Sequence, residues 1–265
     1  MKTVLKIAVP LLLILAIFSL YSAVRKSKKY PIHREVKFAK RDGFYHTSIS
    51  MKTFNEAPVD DKGVYLYDYG GKAGKQYNPA FIGGFVLAAV PISDSPEVKK
   101  TIAANLEHLI VTANKTESGH LLFPYKFDFA KHNQKAPWYS ALAQGQCTSA
   151  FLWGWRILGK TKYLEAAKSA VLAMKNGTKQ GLAVKLEQGT WLKEYPGYPY
   201  HVLDGSLAAL AGVCDLYRSL DETDKDKKEI KAFLDECLLG LKSNKECFNW
   251  RYGGHYYSDK RDFPT

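Results

Sequence analysis

Cysteine is scarce in this chain of 265 residues. The four cysteines (Cys147, Cys214, Cys237 and Cys247) form no C-x-x-C pair, which argues against a zinc site. The last three lie in or just past segments of helical pattern, so a disulfide between two of them stays open. Acidic residues are also in short supply: 26 Asp and Glu against 38 Lys and Arg, a net charge of +12. No nucleic-acid module is recognisable, which removes DNA and RNA as expected partners. The basic excess is either a solvated surface or the long-range attraction for another polyanion, for which an acidic polysaccharide fits best. Charge is missing altogether from "IAVPLLLILAIFSLYSAV", Ile7 to Val24. Lys2 and Lys6 precede that run; Arg25, Lys26, Lys28 and Lys29 follow it. It is long for a signal-peptide core, just long enough to span a bilayer, and no A-x-A cleavage site follows. Residues 1–29 therefore read as an uncleaved signal anchor. Basic residues on both sides leave the positive-inside rule undecided. A domain behind a single N-terminal anchor is expected outside the cytosol, type II-like, in the Golgi lumen or at the periplasm or cell surface.

What remains is enough for one large domain, or for a helical domain with a small appendage. Residues 30–90 read as a linker and β-hairpin region. Residues 31–60 are polar and irregular. Val64, Leu66 and Asp68 then alternate with Tyr65, Tyr67 and Tyr69, and Gly70, Gly71 and Gly74 supply turn residues, which predicts a hairpin. Asn78-Pro79 reads as a helix start, with Asn as N-cap and Pro at the first helical position. Residues 91–265 read as a helical domain. Helices are predicted over Ser95 to Asn114, Trp138 to Gly159, Lys162 to Gly177, His201 to Leu220 and Asp224 to Asn244, and Gly119 to Gln134 is expected to be extended. Short loops between successive helices imply antiparallel hairpins packed side by side, an incomplete (α/α) barrel or toroid. Ala141, Ala143, Gly145, Ala208, Ala209, Ala211 and Gly212 would let helices approach closely. The loops Lys131–Pro137 and Lys193–Tyr200 each precede a helix and are expected to open on one face.

"YNPAFIG" (Tyr77 to Gly83), "APWYSALAQGQ" (Ala136 to Gln146), "WLKEYP" (Trp191 to Pro196) and "VLDGSLAALAGVCDLYR" (Val202 to Arg218) occur in this order. Together they resemble the D-glucuronyl C5-epimerase family, in particular its C-terminal helical domain, over roughly Gly63 to Asp259. The resemblance implies conversion of D-glucuronate to L-iduronate within a heparosan- or heparan-type chain, without nicotinamide or flavin; no cofactor and no metal-ligating residue is expected, and a metal requirement stays open. Animal members are type II Golgi proteins, in keeping with the anchor. Glu194 and Tyr195 match the family's catalytic Glu-Tyr-Pro. In "YGGHYYSDKR" (Tyr252 to Arg261), Tyr257 is the best match to a further catalytic Tyr, with Tyr256 second, and Lys260 or Arg261 matches a basic substrate contact. The family continues into a segment with another functional Tyr and His, whereas this chain stops at Thr265; the expectation is a truncated sequence, with the activity of the short chain open.

The reaction needs a group to take the C5 proton from one face, a second to return it to the other, and something to neutralise the carboxylate. Tyr195 and Tyr257 are the expected opposed pair, with Glu194 as a proton partner or a hydrogen-bonding group. Trp138 and Tyr139 either stack on a sugar or fill the core, and Gln144 and Gln146 either touch substrate or bond internally. Tyr198 and Tyr200 are expected to shape the loop, and His201 to sit in a cap region. A homodimer stays open. The rival readings are a uronate polysaccharide lyase, a hydrolase, for which Asp204 would be the weak second carboxylate, and an inactive relative that binds an acidic glycan.

Overall fold

The computed structural model describes residues 43–176 and 181–248. The anchor expected at residues 1–29 lies outside them, as do Tyr256, Tyr257, Lys260 and Arg261. Among the described residues no helix is long and apolar enough to cross a membrane. Those residues are mainly helical, as the patterning predicts, with three small antiparallel hairpins.

Helix α1 (Met51–Asn55) is one short turn capped by Ser50, whose side chain accepts from the Thr53 N–H; it lies in the segment read as irregular and is too brief to carry a period. The expected hairpin follows, β1 (Tyr67–Asp68) paired with β2 (Lys75–Gln76). Gly70, Gly71 and Gly74 between them all take positive φ, the left-handed region where a Cβ is costly. Helix α2 (Pro79–Ala89) begins at the predicted cap: the Asn78 side chain accepts from the Phe81 N–H, and Pro79 loses nothing at a position whose N–H has no helical partner. Helix α3 (Pro96–Thr112) opens behind Ser95. A second hairpin, β3 (Asn114–Lys115) with β4 (Leu121–Leu122), leads into an extended aromatic segment and then α4 (Ala141–Leu158) and α5 (Thr161–Lys175). A third hairpin, β5 (Ala183–Lys185) with β6 (Thr190–Leu192), precedes α6 (Leu203–Ser219) and α7 (Lys227–Asn244).

Three helix starts differ from the sequence reading, and the last of them, α7, begins at Lys227, not Asp224, after a turn in which the Lys227 N–H donates to the Asp224 carbonyl. Helix α4 begins at Ala141, not Trp138, because Trp138 pairs with Tyr125 in a two-way backbone bridge (2.8 and 3.2 Å) and the Ala141 N–H donates to the Lys193 carbonyl. Tertiary pairing overrides the helical pattern there. Helix α6 begins at Leu203, not His201, behind an extended Val202. The four cysteines are free thiols, so the disulfide left open does not form.

The helices pair as α2–α3, α4–α5 and α6–α7, and the first members pack in a row, α2 on α4 and α4 on α6. The small residues set the spacing of that row. A Cβ built on Gly145 would sit 2.4 Å from the Ala209 Cα, and one on Gly212 would sit 2.3 Å from the Gly145 carbonyl oxygen. Backbone therefore meets backbone between α4 and α6. Around this contact Phe151, Leu152, Val213 and Leu216 are completely buried, each contributing roughly 1.5–3 kcal/mol through removal from water. Helix α2 joins the same core through Ile82, Phe85 and Val86.

Candidate active site

The site forms where the segments ahead of α4 and α6 meet. Strand β6 is buried at all three residues, and it carries the chain inward to Lys193 and Glu194. Lys193 is buried with its ammonium donating to the carbonyls of Tyr198 (2.8 Å) and Tyr200 (2.7 Å), so the loop folds around a cation. The companion loop reaches it through Gln134, whose amide donates to the His132 carbonyl at 2.7 Å and to the Pro196 carbonyl at 3.0 Å. The two loops thus share one face, as their places before helices suggest.

Glu194 is 8 % exposed. Its carboxyl lies against Gly205 in the first turn of α6, where a Cβ would fall 2.3 Å from Oε2. Only glycine leaves room there. Oε2 is buried with no hydrogen-bond partner among the described residues. Burial, with the negative charge of nearby Asp204 adding to it, pushes Glu194 up to about 7, while the Tyr195 hydroxyl donating to the carboxyl pulls the other way. A carboxyl poised near neutrality can both accept and return a proton.

Tyr195 is held between rings. The His132 imidazole lies flat on it, 3.9 Å between centroids and 2° between planes, and Phe129 and Trp138 each stand 6.0 Å away. His132 is 6 % exposed; burial, with Lys131 acting in the same sense, holds it below its usual range and therefore neutral near pH 7. Its Nδ1 is buried without a partner among the described residues, as is the Ser140 hydroxyl at the start of α4. Tyr198 meets the His132 ring edge-on at 5.1 Å and Tyr200 packs on Tyr198 at 5.3 Å.

Other residues singled out from the sequence have different placements. Trp138 stacks on Tyr125 at 3.8 Å and its indole N–H donates to the Phe127 carbonyl; at 5 % exposure it is the wall behind Tyr195 and not a platform for a sugar. Tyr139 is buried with its hydroxyl bonded to the Asn114 amide at 2.6 Å. Gln144 is fully buried: its oxygen accepts from the Phe123 N–H, and its nitrogen donates to the carbonyls of Leu121 and Ala170, all at 3.0 Å. It ties β4 and α5 to α4 and has no N–H left for a substrate. Gln146 is half-buried.

Residues 116–263, more than half of the chain, match the D-glucuronyl C5-epimerase C-terminus family. The chain belongs to that family. The match spans Glu194 and Tyr195 and extends over the block that contains Tyr257, Lys260 and Arg261. An uncharacterized protein of Methanocaldococcus jannaschii is 26% identical over 148 residues, 51% of this chain and 48% of the relative. The chain thus spans about half the length of the curated relative it matches. Among solved structures, the unsaturated glucuronyl hydrolase of Bacillus sp. GL1, responsible for the degradation of glycosaminoglycan, aligns with a TM-score of 0.50 at 14% identity, over 76% of this chain and 55% of that one. A variant hydrolase with dGlcA-Glc-Rha-Glc aligns equally well at 15% identity. Those two likenesses are of fold.

Within the epimerase family's helical domain, the residue that sequence reasoning missed is His132. The loop that holds it was singled out, and it is that loop's one imidazole, but a lone His among Lys, Asn and Gln carries no periodicity.

Proposed function

We propose that this chain epimerises D-glucuronate to L-iduronate at C5 within an acidic, heparosan- or heparan-type polysaccharide. Membership of the C5-epimerase family supports the uronate chemistry. The observation that carries the reading is the buried Glu194 carboxyl, raised to about 7 and hydrogen-bonded by Tyr195. Tyr195 takes the C5 proton as its own hydroxyl proton passes to the Glu194 carboxylate. The C5–H electron pair moves onto the substrate carboxyl as an enediolate. A second group returns a proton to the opposite face; Tyr257, or Tyr256 beside it, is our assignment, with Lys260 or Arg261 at the substrate carboxylate. The neutral, flat His132 keeps the Tyr195 phenol in plane. We read the row of helix hairpins as part of an (α/α) toroid whose loop-bearing end receives the polymer. The uncharged run Ile7 to Val24 supports a type II-like anchor that holds this domain outside the cytosol.

One observation favours a second reading. The Asp204 charge bears on Glu194, so two carboxyls share the site and one is protonated near neutrality, as glycoside hydrolysis needs. Product analysis of treated heparosan separates the readings. Iduronate in chains of unchanged length supports epimerisation. Shortened chains with saturated ends support hydrolysis, and unsaturated ends support a lyase.

A further inference from the structure

Beyond the aromatic wall of the site, a cavity of about 270 Å³ opens between the start of α2 and the last turns of α3. By liquid volume it would hold about nine waters, room for one pyranose ring. Ile82, Leu109 and Phe123 form an apolar floor, and Tyr77, His108 and Lys126 stand at the polar rim. This pairing of an apolar base with a few polar groups is what a sugar ring requires of a protein surface. The His108 ring packs on Tyr77, 4.4 Å between centroids. Asp60, the nearby acid, is already engaged: it accepts from the Lys62 and Val64 N–H groups and from the Tyr77 hydroxyl at 2.8–2.9 Å. Lys126 and the His108 imidazole, by contrast, carry donors that no hydrogen bond among the described residues uses.

The cavity and the site also border one stretch of chain. Phe123 and Lys126 lie on the segment that runs on to Phe129, whose ring faces Tyr195. Lys126 to Phe129 spans about 10 Å of extended chain, and the Phe129 ring stands 6.0 Å from Tyr195.

We propose that this cavity is a second sugar subsite that takes an acidic pyranose unit of the same chain on which Glu194 and Tyr195 act, with the apolar floor under the ring and Lys126 and His108 at its anionic group. The class of ligand rests on the proposed epimerase reading. A consequence follows for pH. Burial and the charges of Lys126 and Lys62 hold His108 below its usual range, Asp60 acts in the opposite sense, and Tyr77 lies against the ring. An anion placed between His108 and Lys126 favours the imidazolium, so binding takes up a proton and tightens as pH falls.

The test titrates the full chain with a heparosan hexasaccharide while following the imidazole C–H resonances of His108, which the His108→Gln variant assigns. The acidic hexasaccharide should shift them and its carboxyl-reduced counterpart should not. Lys126→Gln, an exposed change, should weaken binding about tenfold, and affinity should rise from about pH 8 to about pH 6. Binding that leaves His108 unmoved, equal affinity in Lys126→Gln, equal affinity for the reduced sugar, or no binding would each overturn the subsite. Glu194→Gln should keep the His108 response. That response without C5 exchange in the unaltered chain would sink the epimerase reading alone; C5 exchange with a silent His108 would sink the subsite alone.

Discussion

Replacing Glu194 with Gln keeps the shape of the side chain and removes its titration. The folded chain holds this carboxyl at about 7, against 4.5 for the ordinary group. Below pH 4.5 folded and unfolded chains both hold the proton, and the site costs nothing. As pH rises from 4.5 the unfolded chain ionises first, and stability falls until the folded carboxyl ionises as well, near 7. Above that the full cost is present, about 3 kcal/mol at ~1.36 kcal/mol per pH unit. The buried Oε2, which lacks a partner among the described residues, is the structural origin of that cost. Urea unfolding of both chains across this range measures it. Glu194→Gln should match the unaltered chain near pH 4.5 and exceed it by about 3 kcal/mol near pH 8.5, while losing C5 exchange. A stability difference that stays constant with pH, or a variant that is weaker at pH 8.5, would show that Glu194 is ionised and satisfied in the folded chain, and the site chemistry argued from it would fall.

Gln144→Ala should lower stability by about 2–4 kcal/mol, because it strands the Phe123 N–H in the core, opens a cavity and cuts the ties to the Leu121 and Ala170 carbonyls; loss of glycan affinity with an unchanged melting temperature would make Gln144 a substrate contact instead. Gly145→Ala should cost about 1–3 kcal/mol or more in the same unfolding assay, since its Cβ meets the Ala209 backbone, and a neutral result would contradict the close α4–α6 approach. His132→Ala should lower kcat about tenfold by releasing the Tyr195 ring, with most of that recovered in His132→Phe, which restores a flat partner. A Phe variant as poor as the Ala variant would mean that an imidazole nitrogen, not the stack, does the work.

The helices, their pairing and the small-residue seam were legible because each rests on a local period or on residue size: Gly145, Ala209 and Gly212 can lie on one another only if two helices touch there. Glu194 and Tyr195 were legible through a motif, and the meeting of the two loops through their positions ahead of helices. The third hairpin was not, because Thr190, Trp191 and Leu192 are all buried and show no alternation. The roles of Trp138, Tyr139 and Gln144 were not legible either. Whether an aromatic or an amide faces a cleft or the core depends on what crosses it, and the crossing segment is Asn114 to Phe129, which is joined to them only by tertiary pairing.

The most direct test of the central claim is incubation of the protein with heparosan in deuterated water, followed by analysis of uronate C5. The account predicts deuterium at C5, appearing together with iduronate, in chains that keep their length, and no incorporation with Glu194→Gln. Chain cleavage with C5 still protonated would contradict it.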